Sequence, residues 1–165
     1  IPAKVRVQVW RNHTGGNMDG NCYCCHKPIK LDNNGLEQDK VIKSGEPDYR
    51  WECGHILSYR NGGADVPINL RPLCFSCNRS MSHKHMLLYM MEHKSAGLPQ
   101  AASDLPLLYQ FLVGHYNQVV QWQTKQEQSL KSGITTIDQF RHHQRIMYYA
   151  IREEDKTRLT MLASC

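Results

Sequence analysis

The chain has 165 residues, 41% of them hydrophobic, a net charge of +5 and a pI near 8.8. That length can bury roughly 70% of the unfolded surface, so no metal is needed merely to hold a miniature fold together. Apolar runs fall short of the roughly 18 residues that span a bilayer, and "IPAKVRVQVW" shows no charged-then-apolar leader, so a soluble protein is expected.

The basic excess is uneven. Thirteen Lys and Arg face nine Asp and Glu from Ile1 to Lys94, against seven and six from Ser95 onward. Affinity for a polyanion is therefore expected in the first part.

In chain order, "IPAKVRVQVWRNHTGG" reads as a short apolar arm or helix stopped at Gly15-Gly16, with Val5, Val9 and Trp10 on one face. Asn21 to about Lys94 is rich in Gly, Asn, Asp and Cys, which predicts short strands and loops until "HMLLYMMEH", the end of a helix. The stretch "KSAGLPQAAS" reads as a break. Beyond it, Ser103-Asp104 and Pro106 can start a helix whose Leu105, Leu108, Leu112, Tyr116, Val119 and Val120 recur at three- and four-residue steps until Gly133. A second start lies at Thr136, with Gln139 at capping-box spacing and Ile137, Phe140, Met147 and Ile151 on one face. The expected organisation is a domain over 1–94 and a helical hairpin over 95–165 packed on it. His142-His143 reads as a solvated pair rather than a ligand set. The apolar stripes of the hairpin also permit a homodimer through the C-terminal helices, although such stripes more often form plain core.

Seven cysteines include two Cys-x-x-Cys pairs, and an odd count without a leader favours metal ligation in a reducing compartment, cytoplasm or nucleus, over a disulfide framework. Cys22 with Cys25 and Cys74 with Cys77 each let one tight turn aim two sulfurs at one ion, and two such turns complete a closed tetrahedral structural zinc site. Cys25 rather than Cys24 is chosen because Cys-x-x-Cys before "HKPI" is the usual knuckle turn. Cys24, Cys53 and Cys165 are then surplus, buried or free thiols.

About 50 residues separate the pairs, more than a simple zinc ribbon needs. Alternation across Trp51 to Leu57 predicts a strand, Asn61-Gly62-Gly63 a turn, and "CNRSM" the approach to a helix. The order is strand, loop, strand, helix, pinned at both ends by one ion.

These residues carry a family resemblance. "CYCC", "GHILSYRNGG" and "NLRPLCFSCNRSM" together resemble the HNH endonucleases, also called His-Me finger or ββα-metal nucleases, in their four-cysteine zinc form, and are similar to small HNH proteins of phages and large DNA viruses. The resemblance covers about residues 1–93. It implies an α+β fold, a zinc-pinned ββα-metal core with an α-helical C-terminal extension, and metal-dependent hydrolysis of DNA phosphodiester bonds in the host cell of a virus or phage. By the same resemblance, His55 matches the general base, lying near a catalytic Mg²⁺ or Mn²⁺. Asn69 matches the residue whose amide holds the histidine strand, and Asn78 matches a ligand of the divalent ion. Arg60, Arg71, Arg79 and Lys84 surround the motif as candidate phosphate contacts.

Position 54 departs from the pattern: many members have Asp or His there as a second ligand, and Gly54 offers no side chain. Three readings stay open. Glu52 on the same strand face, or His83 or His85 after Asn78, supplies the ligand; Asn78 with the phosphate suffices; or the chain keeps binding on the zinc scaffold without cleavage.

Overall fold

The computed structural model describes residues 1–33, 41–149 and 154–164. Ile151 and Cys165, both singled out in the sequence, lie outside them. The chain divides into two compact units, one of Ile1–Tyr59 with Gly63–Leu98 and one of Arg60–Gly62 with Pro99–Cys165.

The first unit opens with helix α1 (Ala3–Thr14), stopped by Gly15 in the left-handed conformation, φ 66°, which glycine adopts without Cβ strain. Val9 and Trp10 are its fully buried residues; Val5 is only half-buried. The Trp10 ring packs on Trp51 at 4.6 Å between centroids, and its Nε1 donates to the Asn17 carbonyl at 2.7 Å, so the indole buries its rings without orphaning its N–H.

Strands β1 (Asp19–Asn21) and β2 (Pro28–Lys30) form an antiparallel ribbon around the first cysteine turn. The functional frame is the second ribbon, β3 (Trp51–His55) antiparallel to β4 (Leu70–Cys74), with Gly54 opposite Arg71 and His55 opposite Leu70. Helix α2 (Phe75–Met81) follows β4 without a linker because the Cys74 side chain caps it, accepting from the Cys77 N–H at 3.4 Å. The expected order of strand, loop, strand and helix is the order found. Helix α3 (Met86–Glu92) then buries Met86, Leu87, Tyr89 and Met90, and the Met86 N–H donates to the Ile56 carbonyl just beyond β3.

Three expectations for the second half are corrected. The stretch read as a break contains helix α4 (Leu98–Asp104), which tolerates Pro99 because a first-turn proline loses no intrahelical bond. The single helix expected from Leu105 to Gly133 is two, α5 (Pro106–Gly114) and α6 (Tyr116–Lys131), parted at His115 after Gly114. Helix α7 (Ile137–Tyr148) starts with the expected capping box of Thr136 and Gln139, and α8 (Glu154–Ala163) follows, so the C-terminal region holds more than a hairpin. Leu112, Val119, Trp122, Phe140 and Met147 form the core of the second unit. Among the described residues no helix is long and apolar enough to cross a membrane.

Candidate metal centre and active site

The zinc-type site is built by two knuckles. In the first, the Cys22 N–H donates to the Lys27 carbonyl at 2.8 Å and the His26 N–H to the Cys22 carbonyl at 2.9 Å, with His26 at φ 62° closing the turn. The Tyr23 N–H donates to the Pro72 carbonyl at 2.9 Å, which fixes this knuckle to β4 and so to the second pair. The ligand atoms of Cys22, Cys25, Cys74 and Cys77 all lie within 4.8 Å of one another, and the Cys25 and Cys74 sulfurs are 3.8 Å apart. A tetrahedron with Zn–S of about 2.3 Å has edges of about 3.8 Å. Four cysteines thus fit a closed structural zinc site, with no open position for chemistry. Hydrogen bonds from Cys22 and Cys77 hold the Cys74 thiol far below its ordinary pKa, while the bond to Cys74 pushes Cys22 up. Cys24 and Cys53 are buried, as expected of surplus thiols, and burial raises Cys53 to about 11.

His55 closes β3 and is partly exposed. Its Nε2 lies 2.7 Å from Asp65 Oδ1, and that bond holds the Asp65 carboxyl below the usual carboxylate range. Asn69, 9% exposed, ends the turn before β4. Its Oδ1 accepts from the Leu57 N–H at 3.0 Å, and its Nδ2 donates to the Leu57 and Ala64 carbonyls, each at 3.0 Å. One amide therefore ties the end of the histidine strand to the loop that carries Asp65. Gly63 makes this possible: a Cβ there would lie 1.7 Å from the Leu57 carbonyl oxygen and 2.7 Å from Asn69 Nδ2.

Asn78 stands on α2 beside β3. Its Nδ2 donates to Glu52 Oε2 at 2.6 Å, and its Oδ1 is 3.1 Å from where a Cβ on Gly54 would be. The carboxylate takes the amide's donor end and leaves its oxygen turned to the strand position just before His55. At Gly54 itself a Cβ would meet Leu73 Cδ1 at 2.3 Å and Cγ at 2.8 Å. The space a side-chain ligand would use is filled by a fully buried leucine. Of the other candidates, His83 is exposed beside Ser82, whereas His85 is buried and caps α3, its Nδ1 accepting from the Leu87 N–H at 3.1 Å. Carboxylate and amide oxygens are the donors a hard divalent cation prefers, so Glu52 and Asn78 fit such an ion.

The four basic candidates are placed differently. Arg71 is buried on β4, its Nη1 donating to the Ile68 and Leu70 carbonyls and its guanidinium 5.2 Å from the Tyr23 ring. Arg60, within the second unit, makes a two-pronged ion pair with Glu127 at 3.0 and 3.1 Å. Arg79 is exposed with its guanidinium 4.3 Å over the Phe75 ring, and Lys84 is exposed in a pair with Glu92. His142 is exposed and the His143 Nδ1 meets Gln126.

Residues 22–84 match the family model described as HNH endonuclease. The chain carries an HNH domain. Its match begins at the first zinc-type ligand and ends three residues after α2, so it spans both knuckles and the whole β3, β4 and α2 frame of the HNH unit. No curated protein and no solved structure matches the chain.

Sequence reasoning missed Asp65. It stands just past the Gly62-Gly63 turn, where an acidic residue reads as ordinary turn chemistry. The only signal available was an acid two residues beyond the glycine pair, in the loop that returns towards the histidine strand.

Proposed function

We propose that this HNH domain is a metal-dependent endonuclease that hydrolyses DNA phosphodiester bonds, with His55 as general base. The observation that supports this most is the ββα frame around one point: the Asn78 amide oxygen abuts Gly54, the residue before His55, while Asn69 pins the strand end. His55 takes a proton from a water that attacks phosphorus, and the 3′-oxygen leaves. An unprotonated imidazole nitrogen within reach of the water can accept that proton. Bound Mg²⁺ or Mn²⁺ would supply charge stabilisation for the phosphoryl oxygens and the leaving oxygen. Asn78 and Glu52 are the residues that would hold it, Glu52 taking the place of the ligand absent at Gly54. His85 is engaged as a cap, whereas Glu52 is bonded directly to Asn78.

Phosphate contacts are assigned to Arg79 and Lys84, whose charges face solvent; exposed pairs such as Lys84 with Glu92 are weak and readily exchanged for a phosphate. Arg60 and Arg71 are already engaged within the protein. The experiment is nicking of supercoiled plasmid by zinc-loaded protein in Mg²⁺, Mn²⁺ or EDTA, beside His55→Ala. Metal-dependent nicking that disappears in the variant supports the proposal.

A second reading, a nucleic-acid-binding scaffold without cleavage, is favoured by Leu73 filling the space over Gly54. Gel shift without nicking under every metal would carry it.

A further inference from the structure

We infer that Asp65 is a positioning residue for His55, fixing the imidazole as the Nε2–H tautomer so that Nδ1 is the atom that accepts the proton. This rests on the nuclease reading for its catalytic meaning, and on geometry for its substance.

A neutral imidazole has one N–H and one bare nitrogen, and the partner of one nitrogen decides the state of the other. Asp65 Oδ1 lies 2.7 Å from His55 Nε2, a charge-assisted distance, and an ionised carboxylate only accepts. Nε2 must therefore hold the proton. The bond to His55 also keeps the Asp65 carboxyl ionised, by lowering its pKa.

Two further features make the contact more than a chance pairing of neighbours in a loop. Asp65 is ten residues from His55 in sequence and reaches it only because the loop folds back at Gly63, whose N–H donates to the Ser58 carbonyl at 2.9 Å. The backbone on both sides is fixed by the same side chain, since Asn69 Nδ2 binds both Leu57, two residues after His55, and Ala64, one residue before Asp65. Asn69 thus sets the separation of the imidazole and the carboxylate, which goes beyond holding the strand alone. The side chains of His55 and Asp65 are 18% and 34% exposed, so the imidazole is sheltered on its Asp65 side and still open to an attacking water.

The test is long-range proton–nitrogen NMR of zinc-loaded protein labelled at the histidine ring nitrogens, in which each ring reports its own tautomer. The chain has nine histidines, and the His55→Ala spectrum assigns the signals of interest by their loss. The wild-type His55 ring is expected to show a protonated Nε2 and a bare Nδ1. Asp65→Ala should shift it to a mixture of tautomers, and Asp65→Glu should restore much of the Nε2–H form. In plasmid cutting, Asp65→Ala should lower kcat roughly 10–100-fold, as loss of a group that orients a functional imidazole does, while KM for DNA stays within about twofold.

A wild-type ring protonated at Nδ1, or an unchanged tautomer in Asp65→Ala, overturns the inference, as does an unchanged kcat. Because the spectrum needs neither DNA nor a divalent ion, the two ideas fail separately. Cutting lost in His55→Ala beside an unchanged tautomer in Asp65→Ala removes the role of Asp65 and leaves the nuclease. A wild-type protein that never cuts removes the nuclease and with it the catalytic role of the pair.

Discussion

Replacing Asn69 with alanine tests the latch that the candidate site depends on. The substitution removes three hydrogen bonds of 3.0 Å and leaves the Leu57 N–H and the Leu57 and Ala64 carbonyls without that partner, in a place where Asn69 is only 9% exposed. At about 1 kcal/mol net for each bond, the loss is about 3 kcal/mol, and more if no water replaces the amide. A protein of this size loses about 2–4 °C of Tm for each kcal/mol, so zinc-loaded Asn69→Ala should melt about 6–12 °C below wild type by circular dichroism. Asn69→Asp sharpens the test. It keeps the acceptor for the Leu57 N–H but sets a carboxylate against two carbonyl oxygens, so it should melt no higher than the alanine variant. A fall of under 2 °C in both variants would refute the claim that this amide holds the loop to the strand.

Removing zinc with a strong chelator, or replacing Cys74 with serine, should abolish near-ultraviolet dichroism of the first unit, because structural zinc contributes about 10 kcal/mol or more against a total stability of similar size. Cys24→Ser should retain one zinc per chain; one zinc in Cys74→Ser, or none in Cys24→Ser, would contradict the ligand set. Gly54→Ala should cost about 1–3 kcal/mol in urea unfolding because its Cβ meets Leu73 at 2.3 Å, and that cost should shrink when measured in a Leu73→Ala background. Equal costs in both backgrounds would show that Leu73 is not the obstacle. Asp48 is held below its ordinary pKa first by its hydrogen bonds to Arg50, so its contribution is present above the unfolded value of about 3.9 and is lost as pH falls through the lower folded value. The stability gap between wild type and Asp48→Asn should therefore be largest near pH 7 and narrow below about pH 4; a gap that widens in acid would reverse the assigned sign.

The legible parts of this chain were those written in short-range spacing. The two cysteine turns, the alternation into β3, the cap at Thr136 and the stop at Gly15 each depend on residues a few positions apart, and each appears in the structure. The split between α5 and α6 was hidden because the apolar period runs on past Gly114 and His115, so the pattern reads as one helix. Arg71 illustrates a different limit. A charged residue is by default taken as solvated, yet every position of β4 is buried, and this guanidinium is accommodated by backbone carbonyls and an aromatic face. The Glu52 contact to Asn78 and the Asp65 contact to His55 join residues on different elements, so spacing alone could only nominate the first and gave no reason to look for the second.

The central claim is that the HNH domain cuts DNA with His55 as its base, and the most direct measurement is plasmid nicking by wild type and His55→Ala at equal zinc content. The account predicts nicking in Mg²⁺ or Mn²⁺, none in EDTA, and a loss of at least about 100-fold in the variant with its melting temperature unchanged. Nicking at the wild-type rate by His55→Ala would contradict it.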